Sequence, residues 1–333
     1  MQKIKVAING FGRIGRHAFK VAWKKKNLEV VAVNDLGDIR GLAHLLQYDT
    51  AYPEFDVKIS FDEKHILVGN KKIAVFAEKD PSVLPWKKLG VDVVIESTGR
   101  FTDVEAAQTH LKAGAKKVVI SAPGKGEVKT FVRGVNDTDY AGEAIIDNAS
   151  CTTNCAAPMM MVLEKEFGVE KAMLTTVHSY TASQVLQDGN SKDLRESRAA
   201  AQNMVPTKTG AAVAVARTLP SLKGKFDGLS VRVPTITVSL TDVTVLVKKN
   251  VTPEQVNKAF VKASKTYLKN ILAVSDKPLV SSDYIGNPFS AIVDLELTRV
   301  VDGNLLKVVG WYDNEWGYAN RLVEMVEIVG KKK

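Results

Sequence analysis

Polar and apolar residues alternate from Met1 to Ile8, a period-two pattern that predicts a first β-strand. A helix pattern follows, with Ile14, Ala18, Val21 and Ala22 on one face. Leu28 to Val33 is a second apolar run ending at Asn34-Asp35. Two more apolar strands end in small polar residues: Val91 to Ile95 leads to Glu96-Ser97-Thr98-Gly99, and Lys117 to Ile120 leads to Ser121-Ala122-Pro123-Gly124. Strands alternating with helices predict an α/β fold with a parallel sheet. Ile145 to Ala149 reads as another short strand, and from Ser150 a helix is expected through Leu163 to a glycine stop at Gly168. Pro158 inside that helix should free the carbonyl of Asn154 and bend it slightly. At the other end of the chain, Leu322, Val323, Val326 and Val329 predict an amphipathic helix from Trp316.

The turn between the first strand and helix is Gly10-Phe11-Gly12-Arg13-Ile14-Gly15. Strand, G-x-G-x-x-G, helix, strand and acid together form a dinucleotide-binding unit. Gly10 permits the tight turn, Gly12 lets backbone approach a pyrophosphate, and Gly15 lets the helix pack close to the strand. The helix N-terminus favours the phosphate charge. Asp35 stands about 20 residues beyond the last glycine, where a carboxylate accepts from a ribose 2′-OH. Its other reading is a cap for a helix starting near Asp38. Thr98 and Ser121 follow strand ends, where ligands of parallel sheets bind, and are candidate cofactor contacts. Turn chemistry between strand and helix accounts for each, taken singly, nearly as well.

Ser150-Cys151-Thr152-Thr153-Asn154-Cys155 places a thiol on the first turn of a helix with Ser150 as cap. Unpaired N–H groups and the helix dipole favour thiolate there, so Cys151 is the candidate nucleophile. Cys155 reads as a small buried hydrophobe. Of five histidines, His17, His44 and His110 sit in helix-like contexts and His65 in a hairpin turn. His178 ends the strand-like run from Ala172, where an imidazole can act as base and then acid. A long polar stretch runs on to about Met204, the length of a functional loop.

The 333 residues suffice for two domains, and no apolar run reaches the ~18–20 residues that a membrane span requires. The first residues lack the apolar core of a secretion signal. Two cysteines four apart, with no further Cys/His cluster, predict neither a metal site nor a disulfide framework, and suit a reducing cytoplasm. The net charge of +9 comes from lysine runs without interleaved aromatic residues, which points to a solvated surface more than to a nucleic-acid interface.

The chain resembles the phosphorylating glyceraldehyde-3-phosphate dehydrogenase family from end to end. The resemblance is carried by Asn9 to Arg16, Ser150 to Cys155, His178-Ser179-Tyr180-Thr181, Thr209 to Ala212, Arg232 to Thr235 and Trp311 to Tyr318. It implies a Rossmann-type dinucleotide-binding domain over 1–149 and an α+β catalytic domain with a mixed or antiparallel sheet over 150–315. The helix 316–333 would return to the first domain. The resemblance also implies an NAD-dependent oxidative phosphorylation of glyceraldehyde 3-phosphate through a Cys151 thiohemiacetal and thioester, with His178 as base. Ser150, Thr152, Thr209 and Gly210 would hold one phosphate, and Thr181 and Arg232 the other. Arg13, Ile14, Asp35, Ser121 and Asn314 would meet the cofactor, with Lys79 as a further candidate. The family is usually a homotetramer. The loop after Thr181 carries Asp188-Gly189-Asn190-Ser191-Lys192, a departure in a region that helps select NAD over NADP. Asp35 would repel a 2′-phosphate and favours NAD. An NADP-preferring enzyme, an erythrose-4-phosphate dehydrogenase and, in a different class, a nucleic-acid-binding protein are the alternatives.

Overall fold

The computed structural model describes residues 3–332. Residues 1, 2 and 333, which end the ranges expected for the first strand and last helix, lie outside them. The described residues fall into two compact units, one of residues 3–131, 139–149 and 319–332, the other of residues 132–138 and 150–318.

The first unit runs β1 (Ile4–Asn9), α1 (Arg13–Trp23), β2 (Leu28–Asn34), α2 (Ile39–Gln47), β3 (Ile59–Phe61), β4 (His65–Val68), β5 (Lys71–Phe76), α3 (Trp86–Leu89), β6 (Val93–Glu96), α4 (Val104–Lys112), β7 (Lys117–Ile120), β8 (Lys129–Thr130) and β9 (Ile145–Asp147). Its nine-stranded sheet has the order β3-β4-β5-β2-β1-β6-β7-β9-β8. Every pairing from β5 across to β8 is parallel, and only the β3–β4–β5 edge is antiparallel. The order reverses at β1, which lies between β2 and β6. Ligands of such sheets bind at that switch point, beyond the carboxyl ends of the strands. Ala7, Ala32, Val94 and Trp86 fill one core cluster, and Ala107, Val118 and Ile120 another. Strands covered on both faces explain the continuous apolar runs.

The second unit continues with α5 (Cys151–Phe167), β10 (Val169–Ser179), β11 (Val205–Lys208), α6 (Ala211–Thr218), β12 (Phe226–Val233), β13 (Ser239–Val247), α7 (Pro253–Lys265), β14 (Leu272–Ser275), β15 (Ala291–Val301) and β16 (Leu305–Tyr312). Its sheet has the order β11-β12-β10-β13-β16-β15-β14 and is mixed, with β10·β12 and β14·β15 parallel and the rest antiparallel. The central helix α5 packs on this sheet and touches α6 and α7. Along β10, Ala172, Leu174, Thr176 and His178 are buried while Met173 and Val177 are exposed. That alternation turns His178 inward with the buried residues. No helix or strand spans 180–204. The last helix, α8 (Trp316–Lys331), belongs to the first unit from Ala319 onward, and buries Leu322, Val323, Val326 and Val329.

Candidate active site

Ser150 caps α5, its hydroxyl accepting from the Thr153 N–H at 3.1 Å. Cys151 is therefore the first helical residue, half-buried, and α5 runs through Pro158 to Gly168, whose φ of 71° suits glycine. One turn on, Cys155 is fully buried, 3.8 Å from Met159 Sδ, and burial pushes its thiol up to about 12. A thiol that deeply protonated packs and does not react.

His178 Nε2 lies 3.4 Å from Cys151 Sγ. The two residues come from different elements, the start of α5 and the end of β10, and both sit in the second unit. Parallel pairing of β10 with β12 sets Arg232 directly opposite His178. Arg232 Nη1 stands 2.6 Å from His178 Nδ1, and the Ser179 carbonyl oxygen is 2.7 Å from the same nitrogen. Beneath the thiol, the buried Tyr312 hydroxyl meets Thr152 Oγ1 at 2.9 Å and Thr176 Oγ1 at 2.8 Å.

Burial pushes the Cys151 thiol up, while the Arg232 guanidinium and hydrogen bonding from Thr152 pull it back. Burial, and next the Arg232 charge, push His178 down to about 3. Both shifts favour the uncharged thiol and imidazole. Ionisation of the pair is then a transfer between partners, because the proton leaving sulfur has Nε2 as its nearest acceptor.

The expected anion-binding residues are spread over three places. Cys151, Thr152, His178 and Arg232 come together around the thiol. Thr209 and Gly210 stand at the start of α6, where Thr209 Oγ1 accepts from the Ala211 N–H at 3.2 Å. Thr181 lies at the head of the long loop, its hydroxyl 3.0 Å from that of Ser183. Asn314 is also in this unit, its Oδ1 accepting from Ser239 Oγ at 2.9 Å and Ser179 Oγ at 3.3 Å.

In the first unit a cleft of about 260 Å³ opens at the β1 switch point, lined by Gly10, Gly12, Asp35, Lys79 and Thr98 among others. Ser121 does not line it. The three glycines behave differently. Gly10 has φ of 91°, which L side chains rarely adopt. A Cβ on Gly15 would stand 2.1 Å from the Gly10 carbonyl oxygen, so the third glycine lets α1 pack against the turn. A Cβ on Gly12 would meet nothing within 4 Å, which leaves the approach to that backbone open. Gly15→Ala is therefore expected to displace α1, to cost about 1–3 kcal/mol by overpacking, and to weaken dinucleotide binding at least tenfold. Denaturant unfolding and titration calorimetry check both effects; unchanged affinity would show that the turn tolerates the shift.

The cap of α2 is Asp38, which accepts from the Gly41 N–H at 2.9 Å, and not Asp35. Asp35 instead accepts from the Phe11 N–H at 2.7 Å and the Gly37 N–H at 2.9 Å, so it holds the glycine turn from below. The Arg13 side chain pairs with Asp49 at 2.5 Å and lies over Tyr52. Ile14 follows it on the first turn of α1.

Asn9 and Thr98, which line this cleft, join a buried polar network that sequence reasoning missed. Glu96 is fully buried and accepts from Asn9 Nδ2 at 2.6 Å, the Thr98 N–H at 2.8 Å and the Thr98 hydroxyl at 2.5 Å. His110 Nε2 lies 3.0 Å from the same carboxylate, and Trp86 Nε1 donates to His110 Nδ1 at 3.1 Å. The indole fixes the neutral tautomer with hydrogen on Nε2. The one available signal was an acid closing an otherwise apolar strand.

Residues 4–104 match the family profile described as glyceraldehyde 3-phosphate dehydrogenase, NAD binding domain, and residues 150–314 match its C-terminal domain. The chain is 52% identical over 331 residues to glyceraldehyde-3-phosphate dehydrogenase of Geobacillus stearothermophilus, covering 99% of both chains. It is 51% identical over 331 residues to glyceraldehyde-3-phosphate dehydrogenase 1 of Bacillus subtilis, again covering 99% of both. It is also 51% identical over 332 residues to a chloroplastic glyceraldehyde-3-phosphate dehydrogenase of Arabidopsis thaliana, covering 98% of this chain and 84% of the relative.

Proposed function

This chain belongs to the glyceraldehyde-3-phosphate dehydrogenase family, and we propose on that footing that Cys151 and His178 are the groups that carry its chemistry. It is an oxidoreductase of glyceraldehyde 3-phosphate with NAD as cofactor. The observation that carries the assignment of residues is the 3.4 Å approach of Cys151 Sγ to His178 Nε2 at the start of a capped helix.

The cleft at the β1 switch point fits a dinucleotide on three counts: the open approach to Gly12, the helix start beyond it, and a carboxylate at Asp35. Gly10, Gly12, Arg13, Ile14, Gly15, Asp35, Lys79, Thr98, Ser121 and Asn314 are the proposed contacts. Bound NAD supplies the hydride acceptor. His178 Nε2 takes the Cys151 proton as sulfur adds to the aldehyde carbon, and returns it to the new oxygen to give a thiohemiacetal. Nε2 then removes that hydroxyl proton as hydride leaves carbon, which yields a thioester on Cys151. An oxygen of inorganic phosphate attacks the thioester carbon, the acyl phosphate departs, and sulfur recovers a proton from Nε2. Ser150, Thr152, Thr209 and Gly210 are proposed to hold one phosphate, and Thr181 and Arg232 the other. A guanidinium beside hydroxyls suits that charge.

The apolar face of the second sheet supports a homotetramer: Met173, Val177, Leu229 and Leu305 are exposed on it. Two free cysteines support a reducing, cytoplasmic setting. No helix among the described residues is long and apolar enough to cross a membrane.

The test follows reduced-nicotinamide absorbance with glyceraldehyde 3-phosphate. Turnover is expected with NAD and to require inorganic phosphate. Absence of turnover with either dinucleotide would remove this reading. Faster turnover with NADP or with erythrose 4-phosphate would redirect it.

A further inference from the structure

Two chains of donors converge on Glu96, the buried acid that closes β6. The first starts at the Glu78 backbone, which donates to Asn34 Oδ1 at 2.8 Å and accepts from Asn34 Nδ2 at 2.9 Å. Those two bonds fix which way the amide points. Asn34 Nδ2 also donates to Asn9 Oδ1 at 2.7 Å, so Asn9 turns its Nδ2 to Glu96 Oε2, at 2.6 Å. The second chain starts at Trp86, whose indole can only donate. It gives its hydrogen to His110 Nδ1 at 3.1 Å, and Nε2–H then donates to Glu96 Oε2 at 3.0 Å.

The other carboxyl oxygen is met in the same sense. The Arg100 N–H donates to Thr98 Oγ1 at 3.1 Å, which leaves the hydroxyl hydrogen for Glu96 Oε1 at 2.5 Å. The Thr98 N–H donates to the same oxygen at 2.8 Å. Every hydrogen on these paths points at the carboxyl group, and only an acceptor-only group can stand where they meet.

Asn9, Asn34, Glu78, Thr98 and Arg100 line the dinucleotide cleft. Glu96, His110 and Trp86 do not, and at 1%, 0% and 0% exposed they lie out of reach of a ligand. The carboxyl ends of β2, β1 and β6 are thus tied together across the switch point by one buried acceptor. The Thr98 wall also bears on the glycine turn. A Cβ on Gly10 would stand 2.7 Å from the Thr98 nitrogen, and Ser97 Oγ donates to the Gly10 carbonyl at 2.6 Å. A displaced Thr98 therefore displaces the turn.

We propose that Glu96 is a positioning residue for the dinucleotide: without touching it, the carboxylate sets the Thr98 wall and the glycine turn at the spacing that NAD requires. This rests on the reading of that cleft as the NAD site. Glutamine is the informative substitute, because it has nearly the same size and shape. Its NH₂ meets hydrogens whichever way round it sits, from Thr98 at one position and from Asn9 and His110 at the other. One wall must then shift, and apparent affinity falls as the competent arrangement becomes rarer. Packing alone predicts no change for an isostere.

The test is calorimetric titration of the full chain with NAD, beside steady-state rates and thermal unfolding of the same samples. Glu96→Gln is expected to bind NAD about tenfold more weakly, the scale of one buried donor left without its acceptor. Its kcat at saturating NAD should stay within about twofold of wild type, because Cys151 and His178 belong to the other unit. A folded Glu96→Gln with wild-type affinity overturns the proposal, even if its unfolding midpoint falls. Trp86→Phe carries the test should Glu96→Gln fail to fold. It keeps an aromatic ring in the core but withdraws one hydrogen, which frees the imidazole to move its proton to Nδ1 and accept at Nε2. Affinity about threefold weaker is expected, and unchanged affinity again overturns the proposal. In the double variant the freed Nε2 can accept from the new amide, so the two losses should be less than additive. Additive losses would show that the direction of donation is not the cause, and overturn it too.

Gly12→Val separates this proposal from the reading beneath it. A Cβ there meets nothing within 4 Å, so the side chain obstructs the cleft and leaves the fold intact. Binding lost in Gly12→Val but unchanged in Glu96→Gln removes the positioning role and keeps the cleft assignment. Unchanged affinity in both places the dinucleotide elsewhere, and the underlying reading fails instead.

Discussion

Cys151→Ser is expected to lower turnover by about four to six orders of magnitude, the scale seen when a catalytic nucleophile is removed, while dinucleotide affinity stays within about twofold. The reason is local. Ser150 still caps α5 and the hydroxyl would sit where the thiol does, but an alcohol gives up its proton far less readily than a thiol. A neutral imidazole depressed to about 3 is a weak base for an alcohol. The dinucleotide cleft is built from the first unit, and the substitution lies in the second. Steady-state rates and calorimetric titration with NAD read the two quantities separately. Residual activity above about one part in a thousand would mean another group carries the acyl chain. Cys155 is a poor substitute, because burial holds its thiol near 12.

His178→Asn is the second large effect, with turnover expected to fall about 10²–10⁴-fold, the range of a lost general base. It also changes the pH dependence of Cys151 alkylation. Burial raises this thiol, so without an acceptor 3.4 Å away thiolate appears only as the pH rises toward that elevated value. The alkylation profile should move to higher pH, and the rate at neutral pH should drop. The wild-type profile should rise earlier, since the proton has a partner in the site. Identical profiles for the two proteins would exclude a working thiol–imidazole pair.

The dinucleotide unit was legible because its signals are local. Gly10 needs its φ, Gly15 its missing Cβ, and both demands lie within one turn of chain. The cap at Ser150 and the stop at Gly168 were legible for the same reason. The pairing of Cys151 with His178 was not, because it depends on how β10 is placed against α5. Arg232 opposite His178 depends on the parallel register of β10 and β12, which no local pattern encodes. Thr152 is expected from the resemblance to hold a phosphate, and nothing local shows that its side chain also bonds to Tyr312, 160 residues away. The Glu96, His110 and Trp86 network was hidden for a related reason. A buried acid is stable only when several distant donors converge on it, and that convergence belongs to the packed unit.

Asp35 joins two properties that protein engineers treat as separate. The carboxylate proposed to face the ribose also accepts from the Phe11 N–H, so the group that would reject a 2′-phosphate also braces the glycine turn. Replacing it with a small neutral residue relaxes the discrimination and leaves that amide without its acceptor. A lineage drifting toward the phosphorylated dinucleotide must therefore cross a less stable intermediate or acquire a new acceptor for Phe11 first. The order in which mutations can accumulate is constrained by one hydrogen bond of 2.7 Å.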